Sequence, residues 1–498
     1  MELIHCLYIS RPHKDAEGLR AEAVRESNEP QGAIRAGVSR RDFLRLTAAF
    51  GVTSALGGMG ILSSLGYVKG PQEPRPEWEN EPGVVDYSLV PALDDLVKPG
   101  PYVLRIAQWY DYWPGSFLQD FRSHMRDKYG LQVETTWDVY TSNEELFNWI
   151  TLGKRRYDVI FPSNYLVDLL KKANMIYTLN EAWLPNLGDG FSNMMRGLVN
   201  VPSDNPYDRR GSNGPWVSVP YFWGTTGLGF RTDKLPVAEV KELGYDLFWM
   251  DSYQPRAPGY GRVELRKKMR MLDDERDVIG AGLKKAGWEW QRNLNLGPAY
   301  PNGYFAGTTD PSGNPGYQWT TNETDPARIR AAGEWLFDMK PRLFDFNSTD
   351  QSTSLIANVA ILNQAWSGDM MYAIRPDQNT PQPMQYVIPP QGSTWWVDCA
   401  SIHSKSRNLA IAHAFLDFIH DLDQNLRLTY WNLYSTPNQA TFDSLKPFQN
   451  DYDMRTDGRL YPNINAPEDF RICDLSQDVG LDTMLNVYNP LWFDLTTD

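Results

Sequence analysis

Only three cysteines, Cys6, Cys399 and Cys473, and six histidines serve the whole 498-residue chain. No C-x-x-C and no Cys/His cluster at zinc-ligand spacing occurs, which excludes a disulfide framework and a structural zinc site. Cys399 and Cys473 are expected as free thiols, with a pairing between them as the alternative. Basic charge is scarce too: 48 Lys and Arg stand against 62 Asp and Glu, a formal net charge of -14. Beyond residue 70 the imbalance is 39 basic to 55 acidic residues. Phosphate-backbone binding needs clustered Lys and Arg, so a nucleic-acid partner is excluded. Catalytic signatures are missing as well: there is no G-x-x-x-x-G-K-[ST] phosphate loop, no H-E-x-x-H and no G-x-S-x-G. Gly224-Thr225-Thr226-Gly227-Leu228-Gly229 has the wrong spacing for a dinucleotide fingerprint and reads as a tight crossover between lobes. No catalytic residue, cofactor or metal is therefore expected.

Aromatic residues are plentiful. They form 13% of the chain, with 18 Trp and 26 Tyr, and the apolar share of 42% argues against disorder. The length exceeds one compact core, so a short leader followed by two lobes is expected. The leader, residues 1–68, carries a twin-arginine pattern, Ser39-Arg40-Arg41-Asp42-Phe43-Leu44, before an uncharged stretch from Leu46 to Val68. A chance Arg pair ahead of a transmembrane helix is the alternative; Gly51, Gly57, Gly58, Gly60 and Gly66 make a poor membrane span. No A-x-A site follows, so an uncleaved leader acting as an anchor stays open, and no cysteine follows that would carry a lipid.

Lys69 to Pro101 is rich in Pro, Glu and Gly and reads as a linker, with the folded body starting near Tyr102. Val103–Ala107 is of strand type, Phe117–Tyr129 has helical spacing, Leu131–Thr135 alternates as a strand, Asn143–Leu152 reads as helix and Tyr157–Phe161 as a buried strand. That β-α-β-α-β order predicts an α/β lobe with a parallel sheet. Further on, Ala357–Leu362 is apolar, Leu409–Leu422 is an amphipathic helix, and Gln291–Thr324 is an irregular insertion.

One pattern recurs in apparent turns, an aromatic residue close to a carboxylate: Trp109-Tyr110-Asp111-Tyr112, Trp366-Ser367-Gly368-Asp369 and Trp396-Val397-Asp398. Aromatic faces cover the methylenes of an alkyl amine and attract its ammonium groups, while carboxylates accept charge-assisted hydrogen bonds from the ends. Each cluster alone is more simply a core tryptophan beside a capping aspartate. Three of them together point to an organic cation.

From about Tyr102 onward the chain resembles the periplasmic spermidine- and putrescine-binding proteins of polyamine ABC importers. The stretches that carry the resemblance are Gln108-Trp109-Tyr110-Asp111-Tyr112, Thr141-Ser142-Asn143-Glu144-Glu145-Leu146, Tyr157 to Tyr165, and Val219 to Gly227. It implies a two-lobed α/β periplasmic binding-protein fold with a hinge and an interlobe cleft. Lobe one would comprise 102–229 plus 397–435, and lobe two 230–396 plus 436–498. It implies stacking aromatics at Trp109, Tyr112, Tyr165, Trp366, Trp396 and Tyr434, with amine-binding acids at Asp274, Asp277 and Asp398. Asp111 and Asp369 match acids of the putrescine-preferring branch, and Ser163 adds a polar contact. A last polar contact would fall near Ser476 or Gln477. The partners implied are a polyamine ligand and membrane permease subunits, and the protein would be a periplasmic monomer. The alternatives are a binding protein for another organic cation, a twin-arginine-exported enzyme and a surface-interaction protein.

Overall fold

The computed structural model describes residues 75–151, 155–195, 208–211, 213–293, 319–375, 382–448, 452–462 and 473–497. The twin-arginine leader lies outside them, as does most of the expected insertion between Gln291 and Thr324. The first α/β unit follows the pattern of the sequence. Strand β1 (Tyr102–Trp109) is parallel both to β2 (Val133–Tyr140) and to β3 (Val159–Ile160). Helix α1 (Phe117–Tyr129) buries Phe117, Phe121 and Met125 at i, i+4 and i+8. It stops at Gly130, whose φ of 68° lets the chain turn away while its N–H bonds the carbonyl of Arg126. Helices α2 (Asn143–Thr151) and α3 (Asn164–Lys172) complete the unit. The second strand starts two residues later than its alternation suggests and runs on to Tyr140, because pairing with β1 extends past the alternating segment.

One ten-stranded sheet runs through both lobes. The link is β4 (Val219–Arg231), with β9 (Ser393–Ile402) antiparallel to it over its first half, Val219 to Thr225. From Thr226 onward β4 pairs with β7 (Leu362–Trp366), and from Leu228 also with β8 (Met384–Val387). In the second lobe β7 is parallel to β5 (Met269–Met271), and β5 to β6 (Asp345–Phe346). Strand β10 (Cys473–Leu475) adds to the start of β9, whose end pairs with β3. Thus β4 and β9 each change partners midway, and the pairs Trp396–Gly224 and Trp366–Thr226 flank that changeover on β4. Helices α4 (Glu275–Asn293) and α5 (Pro326–Met339) pack on one another in the second lobe.

The first-lobe core is an aromatic cluster in which Trp113 and Phe117 stack at 5.6 Å and the Phe121 ring stands edge-on to Phe415 at 4.9 Å. Phe415 lies on α6 (Leu409–Ile419), which ends before the predicted limit of Leu422. Asp421 there turns the chain into a new helix, α7 (Leu422–Asn432), by accepting from the N–H groups of Asp423 and Gln424 at 3.1 and 3.3 Å. The apolar run Ala357–Leu362 is mostly turn, with β7 starting only at Leu362. The proline-rich segment differs from a free linker where it is described. Trp78 stands edge-on to Tyr177 at 5.3 Å, Tyr87 Oη donates to the Thr178 carbonyl at 2.5 Å, and Val85 is buried. Its few apolar side chains suffice to dock it on the first lobe. Residues 436–439 also bond to first-lobe segments: Thr436 Oγ1 donates to Asn425 Oδ1 at 2.7 Å and Gln439 N to the Asn193 carbonyl at 2.7 Å. Cys399 and Cys473 are buried and are not joined in a disulfide. Among the described residues no helix is long and apolar enough to cross a membrane.

Candidate functional site

The period of a β-strand places Thr394, Trp396 and Asp398 of β9 on one face. A register shift just after Asp398 turns the following residues out of step with β4. Beside them, β1 ends at Trp109, with Tyr112 three residues on, and β7 ends at Trp366. Ser163 immediately precedes α3, and Asp274 caps α4 by accepting from the N–H of Asp277 at 3.0 Å. These elements line one cavity that is partly open to solvent. Of the residues singled out in the sequence, Trp109, Tyr112, Ser163, Tyr165, Asp274, Asp277, Trp366, Trp396 and Asp398 line it.

Five rings form a closed circuit of contacts, four of them in the cavity lining and the fifth, Tyr434, outside it. Trp109 meets Trp366 edge-on at 6.0 Å, Trp366 meets Trp396 at 6.5 Å, and Trp396 meets Tyr434 at 5.4 Å. Tyr434 stacks on Tyr112 at 5.4 Å, and Tyr112 on Trp109 at 6.5 Å. Two glycines let the rings come this close: a Cβ on Gly224 would lie 3.0 Å from the Trp396 ring, and one on Gly368 would lie 2.5 Å from the Tyr434 ring. Asp111 and Asp369 stand apart from the cavity lining. Asp369 accepts from Tyr434 Oη, and Asp111 is exposed in a left-handed turn with φ of 56°. Burial pushes the Asp369 carboxyl up to about 6, with the negative charge of Asp111 adding to the shift.

The three acids in the cavity are buried and held by donors. Asp398 accepts from Tyr112 Oη at 2.5 Å and Ser163 Oγ at 2.7 Å, yet burial still pushes it up to about 7. Asp277 accepts from Thr394 Oγ1 at 2.5 Å, Trp366 Nε1 at 2.7 Å and Thr226 Oγ1 at 2.9 Å. Burial raises its carboxyl against those three bonds. Asp274 is raised further, by burial first and then by the charges of Glu144 and Asp277. The charge of Arg276 lowers Asp274 and Asp277 without cancelling the cost of their burial, so the three carboxylates remain short of compensation until a cation arrives, and the cavity is poised for a ligand with several N–H⁺ donors.

Several side chains at the site escaped the sequence reading. Thr394 shares the face of Trp396 and Asp398, and strand alternation alone would have found it. Asn143 donates to Ser163 Oγ and accepts from Ser163 N, both at 2.9 Å, which sets the Ser163 hydroxyl toward Asp398. Thr226 had no local signal beyond its place in the glycine-rich crossover. Arg276 lines the cavity between Asp274 and Asp277, a cation where anions were sought. At the last polar position it is Ser476 that faces the cavity, while Gln477 is exposed. Among the described residues no group of three or more His, Cys, Asp or Glu side chains could hold a metal.

No family model matches the chain. It is 26% identical over 364 residues to the spermidine/putrescine-binding periplasmic protein of Salmonella typhimurium, spanning 73% of this chain and 84% of that protein. To the protein of the same name from Escherichia coli it is 26% identical over 378 residues, 76% of this chain and 87% of that one. The putrescine/cadaverine-binding protein of Pseudomonas aeruginosa is 24% identical over 367 residues, 73% and 86% of the two chains. Among solved structures, a putative spermidine/putrescine ABC transporter protein from Listeria monocytogenes superposes with a TM-score of 0.57 at 21% identity, covering 79% of this chain and 98% of that one. The TpPotD lipoprotein of Treponema pallidum does so with a TM-score of 0.55 at 20% identity, covering 79% and 99%. The chain is similar in sequence to the spermidine/putrescine-binding periplasmic proteins and has the two-lobed α/β fold of periplasmic binding proteins.

Proposed function

We propose that this protein captures a polyamine, spermidine or putrescine, between its two lobes and hands it to the permease of an ABC-type importer. It acts by binding and release, as a monomer, without chemistry of its own. The observation that carries this reading is the convergence of Asp274, Asp277 and Asp398 on one cavity walled by Trp109, Tyr112, Trp366 and Trp396. Rings of this kind sheath the methylene chain, and the carboxylates receive the ammonium groups. The names of those similar proteins support the same ligand class. A quaternary amine would find aromatic faces but bring no N–H donor to the acids, and is disfavoured on that ground.

Spermidine or putrescine at a hundredfold excess over the dissociation constant should stabilise the purified chain by about 2.7 kcal/mol. A melting curve that moves with choline but stays flat across di- and triamines would turn the reading to another organic cation. Export is proposed to follow the twin-arginine route into the periplasm. Replacing the pair, Arg40→Lys with Arg41→Lys, should keep the protein in the cytoplasm on cell fractionation. Unchanged periplasmic recovery would remove that route.

A further inference from the structure

Arg276 is a buried cation in a cavity read as a seat for cations. Its donors do not go to the neighbouring acids. Both terminal nitrogens reach the Gln477 carbonyl at 3.2 Å, and Nη2 also reaches Asn322 Oδ1 at 3.0 Å. The guanidinium is thereby fixed within the second lobe. Its flat face meets a first-lobe side chain, the ring of Tyr165 on α3, with 4.9 Å from the guanidinium carbon to the ring centre. Tyr165 lines the cavity and donates through Oη to Glu144 at 3.1 Å. Two residues earlier on the same segment, Ser163 donates to Asp398. The segment that seats a ligand acid in one lobe therefore also touches a fixed cation in the other. A guanidinium suits this contact because it is planar and weakly hydrated, and so stacks on a ring at small desolvation cost.

Resting on amine capture as proposed above, we infer that Arg276 is a positioning residue for cleft closure. Its guanidinium, anchored at Gln477, is the platform on which Tyr165 lands when the lobes shut around an amine. Opening the cleft separates the two groups, so the contact retards release of the ligand and has little influence on its entry. A cation–π contact shielded from water supports a release rate slowed by about tenfold.

The test is stopped-flow release of spermidine and putrescine from the wild-type chain and from Arg276→Met, Arg276→Lys, Tyr165→Leu and the Arg276→Met/Tyr165→Leu double variant. Arg276→Met should release about tenfold faster, and Arg276→Lys should recover part of the loss, since an ammonium still binds the ring face but cannot fork onto Gln477. In the Tyr165→Leu background Arg276→Met should change release less than twofold. A fully multiplicative double variant, or release from Arg276→Met at the wild-type rate, overturns this inference alone. Should Arg276→Met fail to fold, wild-type release from Arg276→Lys overturns it equally. A wild-type chain that binds no amine overturns amine capture together with it.

Discussion

Asp398→Asn lowers polyamine affinity by about a hundredfold or more, the largest loss expected from a single substitution in the cavity. The carboxylate is 2% exposed, and among the described residues its side-chain bonds come from two neutral hydroxyls, those of Tyr112 and Ser163. An ammonium seated against it has this carboxylate as its charged hydrogen-bond partner. An amide of the same shape leaves that ammonium dry and unpaired, at a cost of about 3 kcal/mol. The free protein should respond the other way. Burial lifts the folded carboxyl from its ordinary 3.8 to about 7. A raised carboxyl weakens the fold above pH 3.8, and the penalty is relieved as pH falls through 7. The neutral amide removes that penalty, so Asp398→Asn should melt no lower than wild type at pH 8. Titration calorimetry and melting curves on one sample decide the matter: unchanged affinity takes Asp398 out of the site, and a collapsed melting temperature makes its role structural.

The same shift makes capture pH-dependent. Near pH 7 about half of the free protein carries a proton on Asp398, whereas the complex needs the carboxylate. Alkyl ammonium groups, titrating near 10 as lysine does, stay charged throughout. Affinity should therefore climb from pH 6 to pH 8 with release of a proton, visible as a binding heat that changes with the ionisation enthalpy of the buffer. Asp398→Asn should flatten much of this slope.

How far the site could be read from the sequence depended on how local each signal was. Trp109, Trp366, Trp396 and Asp398 were legible because a ring beside an acid is a short pattern; the fold brings the rings of all three patterns to one cavity but, of their acids, only Asp398. Asp274 shows that the plain and the functional readings need not compete, since it caps α4 and lines the cavity with the same carboxylate. Arg276 went unread although it sits between Asp274 and Asp277, both named as amine-binding acids. Its charge has the wrong sign for a cation site, and its meaning comes from Gln477 and Tyr165, far along the chain. The break between α6 and α7 was hidden for a similar reason: the apolar pattern continues through His420, and only the Asp421 cap shows that the helix restarts. The docking of residues 75–101 depends on Tyr177 and Thr178, a tertiary contact that composition does not report.

Trp396→Ala is the second large loss, by about thirtyfold in polyamine affinity with the fold intact. The ring is 8% exposed and lies on β9 directly across from Gly224, where its far edge rests against the β4 backbone. Trp366 and Tyr434 hold it edge-on. A tryptophan sealed on every side would cost about 3–5 kcal/mol of stability when cut to alanine. This one borders the cavity, so water can enter the space it leaves and the cost to the fold is smaller. The lost ring face is worth about 2 kcal/mol to a desolvated ammonium, which sets the thirtyfold figure. Trp396→Phe should fall between the two. Gly224→Ala separates position from presence: its new Cβ would sit 3.0 Å from the Trp396 ring and 2.9 Å from Ser367 Oγ, displacing the indole while keeping it in the protein. A matching loss of affinity in Gly224→Ala shows that the placement of the ring is what binds. If Trp396→Ala does not fold while Gly224→Ala binds normally, the indole is core and the stacking role falls to Trp109, Tyr112 and Trp366.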